Sequence, residues 1–88
     1  MIEHQENFVN ELIINLDKLH TTKLGIDRIK KNLSLWDIDD VVDWCRNKIK
    51  LSNSEIKREG KNWYIVIDGC KITVNAHSYT IITAHRLK

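Results

Sequence analysis

The 88-residue chain has no proline, three glycines, two cysteines and a single phenylalanine. Without proline, no segment is barred from helix or sheet on that ground. The glycines Gly25, Gly60 and Gly69 stand apart, so there is no glycine-rich loop to cradle a phosphate. Cys45 and Cys70, with His4, His20, His77 and His85, show no CxxC, HxxxH or HExxH spacing, which predicts no metal site; no cofactor motif accompanies them. Each cysteine sits in an apolar run and is expected to be a buried, reduced thiol. Apolar runs are short, as in Leu12-Ile13-Ile14 and Tyr64-Ile65-Val66-Ile67, whereas a membrane-spanning helix needs about 20 residues. The acidic, polar start Met1-Ile2-Glu3-His4-Gln5-Glu6 predicts no signal peptide. The expectation is a cytoplasmic protein without membrane contact, one domain over residues 1–88.

What is present is 42% hydrophobic and 30% charged, the composition of a folded globule rather than a disordered chain. The formal charge is only +2, yet it is unevenly placed. Residues 1–44 carry nine acids and five bases, and residues 45–88 carry nine bases and three acids. A dipolar chain of this kind points to a polyanion-binding side in the second half.

The hydrophobic period divides the chain in the same way. Phe8, Val9, Leu12, Ile13, Leu16 and Leu19 recur at helical spacing and predict an amphipathic helix over 3–19. Thr21 or Thr22 caps a second helix running to about Asn32. Gly25 disfavours that helix and so suggests close packing on a neighbouring backbone. Ser34 and Asp37 read as a capping box for a third helix carrying Ile38, Val41, Val42, Cys45 and Ile49. Acids at its start and Arg46, Lys48 and Lys50 at its end complement its dipole.

From Ser52 the period becomes two. An edge strand over 55–58, a strand over 63–67, the Asp68-Gly69 hairpin turn, a strand over 70–75 and a last strand over 79–86 form a meander. The fold class predicted is α+β, with two to three N-terminal helices on one face of a three- to four-stranded antiparallel sheet. With Asp68-Gly69 as the loop, Trp63, Ile65, Ile67, Cys70, Ile72 and Val74 share the core face. Tyr64, Val66, Lys71 and Thr73 take the other. A last turn at His77-Ser78 would put Thr80, Ile82, Ala84 and Arg86 on that second face and aim Ile81, Thr83 and His85 at the helices; a one-residue slip would reverse this strand.

Chemistry-bearing types crowd into His77-Ser78-Tyr79-Thr80 and Thr83-Ala84-His85-Arg86. A serine-hydrolase triad would need a carboxylate to orient its histidine, and Asp68 is the only acid after Glu59. RNA cleavage needs less, because the 2′-hydroxyl is an internal nucleophile and side chains need only move protons and offset phosphate charge. The candidate catalytic residues are His77, His85, Tyr64 and Thr83. The candidate phosphate binders are Arg28, Lys57, Arg58, Lys61, Lys71 and Arg86, with Trp63 and Tyr64 close by for stacking. His20, Thr21 and Thr22 form a candidate anion-binding helix start.

The segments His20-Thr21-Thr22-Lys23-Leu24-Gly25-Ile26-Asp27-Arg28-Ile29, Gly60-Lys61-Asn62-Trp63-Tyr64 and 72–85 (ITVNAHSYTIITAH) resemble an uncharacterised family of short bacterial proteins, a domain of unknown function. That resemblance covers nearly the whole chain after Leu12 and implies no activity. A looser resemblance, in element order, is to the small ribonuclease toxins of the RelE, barnase and colicin type. It implies a site at Arg28, Tyr64, Thr83 and His85, although the chain lacks their glutamate base in the sheet, Glu59 being at a turn. The function expected is RNA binding with metal-independent endoribonuclease activity. The alternative is a non-catalytic interaction module, an inhibitor or regulator that binds a protein or nucleic acid. A homodimer through Trp36 or Trp44 is a third arrangement.

Overall fold

The computed structural model describes residues 11–87. Residues 11–14 are helical and lead into a 3-10 turn, Leu16–Lys18. Helix α1 (Lys23–Leu33) and helix α2 (Val41–Lys50) follow. Strands β1 (Glu55–Glu59), β2 (Asn62–Ile67), β3 (Cys70–Asn75) and β4 (Ile81–Arg86) then form one antiparallel sheet in the order β1-β2-β3-β4. The α+β class and the helix-then-meander order are those the sequence predicts. The part of the expected first helix before residue 11, with Phe8 and Val9, lies outside the described residues. Leu12, Leu16 and Leu19 are buried as expected, whereas Ile13 is exposed.

Each helix start is set by one side-chain oxygen. Thr22 accepts the Gly25 N–H at 3.0 Å to open α1, and Asp40 accepts the Asp43 N–H at 3.0 Å to open α2. The expected Ser34–Asp37 capping box is not formed. Ser34 instead takes a left-handed conformation (φ 55°) and ends α1, its N–H and that of Leu35 both reaching the Lys30 carbonyl. The third helix therefore begins at Val41, and Ile38 sits in the connection.

The hairpin register matches the sequence expectation. Asp68 (φ 50°) and Gly69 (φ 72°) both lie in the left-handed region, as a two-residue turn matched to strand twist requires. Trp63 then faces Val74, Ile65 faces Ile72, and Ile67 faces Cys70. All six are buried against Ile29, Leu33, Val41, Cys45 and Ile49 of the helices. Full burial of each large aliphatic side chain contributes about 1.5–3 kcal/mol.

The last strand corrects its expected facing. Thr73 pairs with Thr83, but Val74 pairs with Ile81, so Ile82 is an extra residue at a bulge. Ile81 and Ala84 are both buried although three apart, and Arg86 pairs with Cys70 on the core side. Thr83 and His85 therefore lie on the outer face with Thr73 and Lys71, not toward the helices. No described helix is long and apolar enough to cross a membrane.

Candidate functional site

Two surfaces gather the chemistry-bearing residues. The first is the outer face of the sheet. Its residues run in cross-strand rows, Lys57–Tyr64–Thr73–Thr83 and Glu55–Val66–Lys71–His85. Directly opposed residues on one face have Cβ atoms about 4.5–5.5 Å apart, so Lys71 and His85 are side by side. The Lys71 ammonium lies 4.8 Å from the centre of the Tyr64 ring. Asn62 Nδ2 donates to the Tyr64 hydroxyl oxygen at 3.2 Å. Thr73 is buried in the middle of the patch, and Tyr64, Lys71, Thr83 and His85 are half-buried around it. The described helices pack on the opposite face. This face offers one aromatic platform, an imidazole, a lysine beside each, and two threonine hydroxyls.

The second surface is the end of the molecule where the β3–β4 turn meets the start of α1. His20 and Thr80, sixty residues apart, form a parallel backbone bridge: the His20 N–H donates to the Tyr79 carbonyl at 3.2 Å and the Ile81 N–H to the His20 carbonyl at 2.8 Å. Thr21 Oγ1 donates to the Ile81 carbonyl at 2.8 Å. A Cβ on Gly25 would clash with that hydroxyl, so the close neighbour that demands glycine is the Thr21 side chain, not a backbone. His20 Nδ1 lies 2.9 Å from the Lys18 carbonyl and Nε2 lies 3.1 Å from Thr80 Oγ1. Thr80 Oγ1 is in turn 2.7 Å from Ser78 Oγ. Between these two hydroxyls Tyr79 adopts a positive φ of 59°, uncommon for a residue with a side chain. The conformation is held by the Tyr79 N–H on the Asn75 carbonyl at 2.9 Å and by ring packing on Trp63 at 5.4 Å.

Of the residues singled out in the sequence, the structure brings Tyr64, Thr83, His85, Lys57 and Lys71 together on the outer face. It places the others elsewhere. Arg28 is exposed on α1, in the helical layer. His77 is exposed in the β3–β4 turn and Lys61 in the β1–β2 turn. Arg58 faces the core side of the sheet, 5.4 Å from the Trp63 ring, with its Nε on the Gly60 carbonyl. Arg86 donates to the Leu33 carbonyl at 3.0 Å and so caps the end of α1. Thr21 and Thr22 are occupied in bonds to Ile81 and Gly25.

The basic excess of the second half is therefore partly structural. Arg46 bonds the Leu16 carbonyl and Asp43, and Lys48 pairs with Asp68 at 2.7 Å while lying over Trp44. Both cysteines are free and buried. Burial pushes the Cys45 thiol up to about 12, with Cys70 adding to the effect. Among the described residues no three His, Cys, Asp or Glu side chains are grouped to hold a metal ion. Ser78 and Asn75 were not singled out as site residues by sequence reasoning. The available signal was Asn75 ahead of His77-Ser78, since an asparagine that accepts two following N–H groups nucleates such a turn, as its Oδ1 does here at 2.9 and 3.0 Å.

Comparison with known families places residues 13–85 in the family described as "Protein of unknown function (DUF3781)". The match spans most of the chain, and the protein belongs to that family, in agreement with the resemblance seen in its sequence. No curated protein and no solved structure matches it. The comparisons lend no support to the looser likeness to the RelE, barnase and colicin-type nucleases.

Proposed function

We propose that the protein binds single-stranded RNA on the outer face of its sheet. The observation that carries this reading is the register that gathers Tyr64, Lys71, Thr73, Thr83 and His85 on the face opposite the helices. A half-buried aromatic flanked by a cation, as Tyr64 is by Lys71, suits base stacking with phosphate contact. The bulge at Ile82 is what supports the choice of face, because it turns Thr83 and His85 outward. Cleavage is the finer form of the proposal. His85 takes the 2′-hydroxyl proton as that oxygen bonds to phosphorus. The phosphorus–O5′ bond breaks with its electron pair leaving on the 5′ oxygen, His85 returns the proton to that oxygen, and Lys71 offsets the charge gained by the phosphodiester. The products are a 2′,3′-cyclic phosphate and a 5′-hydroxyl.

Electrostatics limits the affinity. Lys57 and Lys71 are the two lysines of this face, and Lys57 lies 3.8 Å from Glu59. Two phosphate contacts on a single strand give a log–log salt slope of about −1.4. Fluorescence anisotropy with a labelled RNA oligomer should show that shallow slope. Stacking is worth about 1–3 kcal/mol per base, so Tyr64→Ala should weaken binding by roughly 5- to 150-fold. Lys71→Ala should weaken it as well and flatten the slope. Unchanged binding in both variants refutes the reading. Cleavage is tested on total RNA in excess chelator: loss in His85→Ala with retention in His77→Ala supports it, and cleavage that persists in His85→Ala sinks it.

A second reading, a protein-interaction module, is favoured by Trp36, which is 66% exposed in the connection between α1 and α2. Self-association lost in Trp36→Ala, with no RNA binding, would support it.

A further inference from the structure

The hydroxyl–imidazole chain at the β3–β4 turn is independent of the RNA-binding face. We infer that Ser78 is a nucleophile toward activated esters, with Thr80 as proton relay and His20 as terminal base. The direction of the chain follows from its acceptors. The Lys18 carbonyl can only accept, so His20 Nδ1 carries the proton, and in the neutral ring Nε2 is left bare. Nε2 then accepts the Thr80 hydroxyl proton across 3.1 Å. Thr80 Oγ1, having donated, accepts from Ser78 across 2.7 Å. Asn75 Oδ1 also lies 3.2 Å from Ser78 Oγ, but it is the more distant acceptor and already takes the N–H groups of His77 and Ser78.

The result is a nucleophile joined to a base through one intervening hydroxyl, with the base held by an orienting carbonyl. The missing carboxylate that argued against a triad in the sequence is replaced by a backbone carbonyl. Ser78 is the attacking end because it is exposed and its hydroxyl is primary, whereas Thr80 is half-buried and branched. The left-handed Tyr79 between them is what sets the two hydroxyls side by side.

In the step itself, Ser78 Oγ adds to the ester carbonyl carbon. Its proton passes to Thr80 Oγ1, whose own proton passes to His20 Nε2. The ester C–O bond then breaks, its electron pair leaves with the alcohol oxygen, and His20 returns the proton to that oxygen. The products are acyl-Ser78 and the free alcohol. A neutral carbonyl fixes the tautomer but stabilises the imidazolium less than a carboxylate does, so stoichiometric acylation is expected rather than rapid turnover.

The test uses the whole protein with p-nitrophenyl acetate, read by intact mass and peptide mapping. One acetyl group on Ser78 is expected, absent in Ser78→Ala. Thr80→Val keeps the shape and removes the relay, and His20→Ala removes the base. Each should slow Ser78 acetylation by roughly 10²-fold, with circular dichroism checking the fold. Thr80→Val keeps the question open to refutation should His20→Ala not fold. Acetylation confined to lysines, or Ser78 acetylation at the unchanged rate in a folded relay variant, overturns the inference.

Discussion

Replacing Gly25 by alanine should destabilise the protein, yet the same replacement should stabilise a Thr21→Ala variant. In the wild type the new methyl group clashes with Thr21 Oγ1 and lies 3.3 Å from Thr21 Cβ and 3.4 Å from Thr22 Oγ1. The Thr21 hydroxyl must move, which breaks its 2.8 Å bond to the Ile81 carbonyl. A bond of that kind contributes about 0.5–1.5 kcal/mol, and a part-buried carbonyl left without it adds a desolvation penalty of about 1–3 kcal/mol. Against this, alanine gains up to about 1 kcal/mol over glycine in a helix. The balance is a loss of about 0.5–3.5 kcal/mol. Once Thr21 is alanine, the hydroxyl is already gone and only Cβ remains to give by a few tenths of an ångström. The helix-propensity gain then shows as a stabilisation of about 0.5–1 kcal/mol. A double-mutant cycle by urea unfolding, followed by tryptophan fluorescence, should return a coupling of about 2 kcal/mol. Equal effects of Gly25→Ala in the two backgrounds, or stabilisation of the wild type, would refute the reasoning.

Three further outcomes concern the core and the helix ends. Cys45 and Cys70 are buried, so thiol reagents should label the native protein only at its unfolding rate. Because folding raises the Cys45 thiol to about 12 from its ordinary value near 9.0, its contribution to stability is intact below pH 9. It is lost as pH rises further, at about 1.4 kcal/mol per pH unit, since the unfolded chain ionises first; Cys45→Ala should flatten that slope in urea unfolding across the alkaline range. Arg86→Ala removes the cap on Leu33 and should reduce stability by about 0.5–1.5 kcal/mol in the same unfolding assay, while leaving RNA affinity unchanged because the side chain serves the helical layer.

Local rules carried the reading of the sequence where one pattern acted alone. Alternation through Trp63–Ile67 and 70–75, with a turn that favours Asp-Gly, left only one register for the central hairpin. Competition between local rules hid the rest. Ser34 and Asp37 satisfy the spacing of a capping box, yet Ser34 was needed to end α1, and Asp40 took over the start of α2. The last strand failed for a different reason. A bulge shifts the alternation by one residue, and neither Ile81-Ile82-Thr83 nor its partners contain a glycine to mark it. The site was half legible. Tyr64, Lys71, Thr83 and His85 were all singled out by residue type, but only the bulge puts them on one face. The His20–Thr80 bridge joins residues sixty positions apart and has no local signature.

The proposed RNA site, the outer face of the sheet, is open to direct observation. Titration of the isotopically labelled protein with a single-stranded RNA oligomer, followed by amide chemical shifts, addresses it residue by residue. Shift changes that saturate together at Lys57, Tyr64, Lys71, Thr73, Thr83 and His85, with a dissociation constant of about 10⁻⁴–10⁻⁶ M, are the predicted result. Changes confined to α1, α2 and their connection, or no changes at all over that concentration range, would contradict it.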